Sequence, residues 1–120
     1  WKVYLSREMI GDFQVSRAGW IGDYEDPNTF LDTMRPNRGN NKTRWDNYEF
    51  DGLLAKANAT LDQEERYKIL MEAERLLIDE MPIAPIYTYV RVYQLHEDVK
   101  GWYPNILSHH HPKYIRIERD

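Results

Sequence analysis

Between Asn47 and Met81 the chain carries two successive runs of apolar residues at helical spacing, and nothing else in it constrains the fold as much. Phe50, Leu53, Leu54 and Ala57 recur at steps of three and four, which gives a helix over 47–59 one apolar face. Ile69, Leu70, Ala73, Leu76, Leu77 and Met81 form a second stripe and predict a helix over 61–80. Glu64, Glu65, Arg66, Glu72, Glu74 and Arg75 are its solvated face. Thr60 with Gln63 fits a capping box for the start of this helix, and Met81-Pro82 ends it, because the residue before a proline is disfavoured in helical conformation.

The flanking segments read differently. Trp1, Tyr4, Leu5 and Met9 suit the end of an amphipathic helix over 1–9, which Gly11 stops. Phe13, Val15 and Arg17 alternate with Gln14 and Ser16, so 12–19 is predicted to be a strand. A turn at 25–28 leads into a short helix over 29–34, with Asp26 as its cap and Pro27 at the first helical position. The polar run 35–44 is a surface loop. The run 83–95, IAPIYTYVRVYQL, is rich in β-branched and aromatic residues and reads as a long strand. A mostly looped stretch over 96–113 precedes a short closing strand over 114–118. The class is mixed α and β.

Composition narrows the function. A formal net charge of −4 argues against non-specific nucleic-acid binding, which needs a basic surface. No apolar run approaches the ~20 residues that cross a bilayer. The absence of cysteine removes disulfides, thiolate nucleophiles and Cys-based metal sites. No other cofactor is implied. The first residues, Trp1-Lys2-Val3-Tyr4-Leu5, carry neither an initiator methionine nor a signal-peptide pattern. They read as an interior piece of a longer or processed protein, so the missing signal says nothing about export.

Three constellations are candidates for chemistry. His109, His110 and His111, with His96 nearby, are potential metal ligands. Adjacent histidines rarely converge on one ion, and a structured loop leading into a strand is the preferred reading. Asp23, Glu25 and Asp26 are paired carboxylates of the kind used in acid–base work, but no nucleophile, activated base and oxyanion hole accompany them. An enzyme is therefore not expected, and a hydrolase using Asp23 and Glu25 is the distant alternative. The third is Arg17-Ala18-Gly19-Trp20-Ile21-Gly22-Asp23-Tyr24. A cation, an aromatic plate and an anion at three-residue steps, with small residues between them, make an edge that another backbone can approach. Such an edge can add an extended ligand strand, with the aspartate binding a ligand ammonium. An ordinary edge strand with a surface ion pair has the same pattern.

The segment VSRAGWIGDYEDPNTFLDTM, 15–34, resembles the signature region of the bacterial periplasmic oligopeptide-binding proteins, the solute-binding components (family 5) of ABC peptide importers. The resemblance continues through Gly39-Asn40-Asn41, the helix pair 47–80, Pro85-Ile86-Tyr87-Thr88-Tyr89-Val90 and His111-Pro112-Lys113-Tyr114-Ile115. It implies an α/β fold: the C-terminal lobe of a two-lobed periplasmic-binding-protein architecture, a mixed sheet with flanking helices. Residues 1–90 would belong to the second, ligand-binding lobe. Residues 91–120 would cross the hinge and return to the first.

The resemblance also implies a function and a site. The protein would capture oligopeptides between its lobes, in the periplasm or at the outer face of the cytoplasmic membrane, free or as a lipoprotein. It would deliver them to a membrane permease. Asp23 would pair with the peptide's α-amino group, Trp20 would line a side-chain pocket, and Gly19 and Ile21 would offer backbone hydrogen bonds. Arg17 would belong to the charged group beside the site, Tyr89 would face the peptide main chain, and Trp1 matches another pocket aromatic. Some relatives carry a further site arginine where this chain aligns Glu8, with Arg7 one residue off. A dipeptide, a nickel chelate, an opine or a sugar is the alternative ligand within the family. With most of the first lobe outside this chain, an exposed apolar patch and self-association are expected. The tail 91–120 is expected to refold locally, to pair with another copy or to fray.

Overall fold

A computed structural model describes residues 1–36 and 39–119. Asn37 and Arg38, inside the expected surface loop, lie outside the described residues. The contacts divide the chain into two compact units, Trp1–Pro85 and Ile86–Asp120.

The first unit is built on the two predicted helices. We label its helices α1 (Lys2–Ile10), α2 (Asn28–Leu31, continued by a 3-10 turn Asp32–Met34), α3 (Tyr48–Ala59) and α4 (Gln63–Glu80). Phe50, Leu54 and Ala57 of α3 meet Ile69, Leu70, Ala73 and Leu77 of α4, and Leu31 and Met34 close the same core. Leu53 and Leu76 pack at its margin. The stripes read from the sequence are the buried faces, except that Met81 is exposed and takes a left-handed conformation (φ 54°) where α4 stops.

The helix ends are held by side chains. The Asn47 side-chain oxygen accepts from the backbone amides of Glu49 and Phe50 at 2.9 and 3.0 Å, satisfying donors that the first turn of α3 leaves free. Its amide nitrogen donates to Glu80 at 2.7 Å, and the Trp45 indole donates to the other Glu80 oxygen at 2.6 Å. One carboxylate therefore clasps the end of α4 to the start of α3. The cap of α4 is Asp62, whose carboxylate accepts from the Glu65 amide at 2.8 Å. The expected Thr60–Gln63 capping box does not form, because the Thr60 hydroxyl turns back to the Lys56 carbonyl at 2.9 Å. Gly11 ends α1 in the left-handed region (φ 72°), and Arg44 donates to the Ile10 carbonyl there. A cation at that carbonyl end suits the helix dipole.

Two strand expectations are corrected. Residues 12–19 and 83–95 join no ladder. Alternation and β-branching describe a side-chain surface, whereas a strand needs a partner to take its N–H and C=O groups. No described segment of this chain supplies one.

The second unit contains β1 (Val99–Lys100) and β2 (Arg116–Ile117), antiparallel with Val99 opposite Ile117. The closing strand is shorter than the predicted 114–118, since Pro112–Tyr114 forms a 3-10 turn. Gly101 (φ 77°) is required here: a Cβ would lie 1.8 Å from the Tyr114 carbonyl oxygen. Trp102 sits between Tyr93, in edge contact at 4.0 Å, and His110, stacked at 4.4 Å. No helix among the described residues is long and apolar enough to cross a membrane.

Candidate functional site

The run from Arg17 to Tyr24 is fixed from both sides. On one side, the Tyr4 hydroxyl of α1 lies 2.6 Å from the Arg17 carbonyl and 2.8 Å from a Glu8 carboxylate oxygen. The Ser16 hydroxyl donates to the same Glu8 oxygen at 3.0 Å. On the other side, the Asp23 backbone amide donates to the Thr29 hydroxyl at 2.9 Å. Thr29, at 4% exposure, is buried at the start of α2. Gly22 lets the two approach, since a Cβ there would stand 3.1 Å from the Thr29 methyl and 3.3 Å from the Phe30 ring.

Trp20, Asp23 and Tyr24 line a small depression of about 80 Å³ together with Thr29, Asp32, Thr33 and Asn40. The Asp23 side chain is exposed, with its main chain pinned behind it. An aromatic wall beside an exposed carboxylate can hold a cationic group together with an apolar stem.

Asp26 does different work from its neighbours. Its carboxylate takes a two-pronged ion pair from Arg66 at 2.6 and 2.8 Å and also accepts from the Asn28 amide at 2.8 Å. The Arg66 hydrogen bond holds the Asp26 carboxyl below its ordinary range against an opposing desolvation, and the Asn28 amide adds to the lowering. Asp26 thus accepts an amide at the start of α2, but α2 begins at Asn28 with Pro27 at the capping position, so the predicted Asp26 cap and the predicted first helical position of Pro27 are each one residue out. Arg66 is therefore not simply part of a solvated face. It ties α4 to the start of α2, a pairing across 40 residues that helical periodicity does not reveal. The carboxylate cluster Asp23–Glu25–Asp26 accordingly splits into one structural member and two exposed ones.

The other predicted residues are placed as follows. Gly19 and Ile21 are exposed along the same run, and so is Arg17. Trp1 is 85% exposed and stacks on Tyr4 at 5.0 Å, one residue removed from the Arg17 carbonyl. Tyr89 belongs to the second unit, in edge contact with Tyr87 at 4.8 Å. Among the histidines, His110 stacks on Trp102, and the His109 backbone exchanges two hydrogen bonds with the Asn105 side chain, both at 2.9 Å. Among the described residues no three or more His, Asp or Glu side chains gather as metal ligands do.

Sequence reasoning missed Asn41. Its side-chain nitrogen donates to the Met34 and Trp45 carbonyls at 2.8 and 2.9 Å, and its oxygen accepts from the Thr43 amide and hydroxyl. It organises the loop that carries Asn40 to the depression. Asparagine in a Gly-Asn-Asn run was the available signal, since its amide imitates a peptide group.

No protein-family model matches the chain. It is 43% identical over 102 residues, 84% of this chain, to the oligopeptide-binding protein OppA of Bacillus subtilis. It is 38% identical over 101 residues, again 84% of the chain, to the dipeptide-binding protein DppE of the same organism. Among solved structures, the unliganded open form of the periplasmic murein tripeptide-binding protein MppA superposes with a TM-score of 0.81 at 34% identity, over 98% of this chain. The chain spans about a fifth of each relative: 19% of the first two and 23% of the third. These relatives are named as binding proteins. The helices and small sheet of this chain thus reproduce part of a two-lobed α/β architecture.

Proposed function

We propose that this chain, which belongs to the family of bacterial oligopeptide-binding proteins, is the part of an extracytoplasmic solute-binding protein that reads the amino end of a peptide. Residues 1–90 contribute to one lobe, and residues 91–120 cross the hinge towards the other. The ligand is held between the lobes and passed to an ABC permease at the outer face of the cytoplasmic membrane. No chemistry is done on it.

The observation that carries this reading is the Trp20–Asp23 depression, with an exposed carboxylate whose backbone is tied to buried Thr29. Asp23 receives the α-ammonium, Trp20 flanks the first side chains, and Gly19 and Ile21 present main-chain groups to an extended ligand. Arg17 and Trp1 complete the surroundings. Reading the backbone and the terminal charge suits a binder that accepts many sequences, because roomy pockets add little discrimination. A dipeptide ligand is the second reading, favoured by the likeness to a relative named for dipeptides. Outside the cleft, the apolar side chains exposed on α1 and along 86–95 promote association of this chain with itself.

Calorimetric titration of free and N-acetylated di- to pentapeptides into the full-length protein tests the assignment. Acetylation is expected to weaken binding at least about tenfold, equivalent to about 1.4 kcal/mol. Asp23→Asn is expected to remove most of that preference, with no peptide turnover in either protein. Equal affinity for free and acetylated peptides, or binding of neither, refutes the reading. Strongest binding of dipeptides selects the second one.

A further inference from the structure

Asp23 is exposed, so its own packing does not hold it. Its position depends on what holds its backbone. The Asp23 amide donates to the Thr29 hydroxyl, and Thr29 is buried at the first turn of α2. That turn is itself tied down: the Asp26 carboxylate accepts from the Asn28 amide and binds the Arg66 guanidinium through both oxygens. The chain of contacts runs from the α4 helix, through Arg66 and Asp26, to Thr29 and then Asp23.

We propose that Thr29 is a positioning residue for Asp23, and that the Asp26–Arg66 pair sets Thr29 against the rigid α3–α4 core. This inference rests on the ammonium-binding role of Asp23. A short-range charge-assisted contact is sensitive to displacement, and a single hydrogen-bonded amide behind an exposed carboxylate limits it. Gly22 belongs to the same device. It carries no side chain, and a methyl group there would stand 3.1 Å from the Thr29 methyl and 3.3 Å from the Phe30 ring, tighter than ordinary contact, so that the Thr29 side chain would have to give way.

The test compares Thr29→Val, Thr29→Ser and Gly22→Ala in the full-length protein. Valine keeps the volume and removes the acceptor, and serine restores it. Three quantities are read: the affinity ratio of free to N-acetylated tripeptide, exchange of the Asp23 amide proton, and the melting temperature. Thr29→Val is expected to reduce the ratio by about three- to tenfold, the effect of one ordinary hydrogen bond, and to accelerate Asp23 amide exchange. Thr29→Ser is expected to retain both, and Gly22→Ala to lower the ratio with little change in melting temperature. A purely structural threonine would lower the melting temperature and leave the ratio intact, which overturns the proposal. If Thr29→Val does not fold, an unchanged ratio in Gly22→Ala overturns it. Failure of the unaltered protein to distinguish the two peptides defeats the ammonium reading and this inference together. An unaltered ratio in the variants alone defeats only the inference.

Discussion

At the scale of single residues, Asp26 shows how one carboxylate serves two elements. It closes the first turn of α2 and grips Arg66 of α4, with both side chains largely withdrawn from water. Because pairing lowers the Asp26 pKa in the folded state, its contribution to stability is fully present above the unfolded value, near 3.9, and is lost as pH falls through the depressed folded value. Asp26→Asn is expected to destabilise the protein at pH 7 by about 1.5–3 kcal/mol, the range for hydrogen bonds to charged groups. The gap between the variant and the unaltered protein should narrow as pH falls below the unfolded value and through the depressed folded one. Thermal melts at pH 7 and pH 3 check this, and a gap that stays constant with pH would refute it. Asp23, three residues earlier, carries the same side chain but is exposed, and this difference separates the anchor from the residue to which the proposed function gives the peptide ammonium.

At the scale of elements, the α3–α4 pair carries the first unit. Phe50 has no solvent exposure and meets Trp45 edge-on at 4.9 Å. Truncating it leaves a cavity in a core with few large side chains. Phe50→Ala is expected to cost about 3–5 kcal/mol, whereas Leu61→Ala, in the exposed link between the helices, should stay within about 0.5 kcal/mol. Urea midpoints measured on both variants decide this; similar midpoints would place the core elsewhere. The two helices were legible in the sequence because a stripe of period 3.6 must be buried against something. The Asp62 cap was not, because Thr60 and Asp62 both satisfy the local chemistry and only the path of the link selects between them. Segments 12–19 and 83–95 were misread for a different reason. Their alternation is real, but pairing is a property of two segments, and no second segment among the described residues supplies it.

At the scale of the whole molecule, the chain corresponds to about a fifth of its relatives' length. Its surface fits that. Ile86, Tyr87, Tyr89, Val90 and Val92 are all more than half exposed, as are Trp1, Val3, Met9 and Ile10 at and around α1. In the proposed full protein the other lobe covers part of this surface. Sedimentation of the 120-residue chain is expected to show mass rising with concentration. The pair Val90→Lys and Val92→Lys should shift it towards monomer. A monomer at all concentrations would refute the proposed association.

The amino-acid sequence by itself determined the helices, the buried faces of α3 and α4, the turn before α2, and the aromatic–acidic run that resembles a peptide site; α1 buries none of its apolar residues. Each is written in contacts between residues a few positions apart, or in a resemblance spread along the chain. Only the tertiary structure decided that Arg66 is an anchor, that Glu80 clasps two helices, that Asn41 holds the loop behind the depression and that Thr29 backs Asp23. In most of these cases a polar side chain takes a partner that no local pattern identifies. The path of the backbone around the α3–α4 core brings the two groups within hydrogen-bond distance.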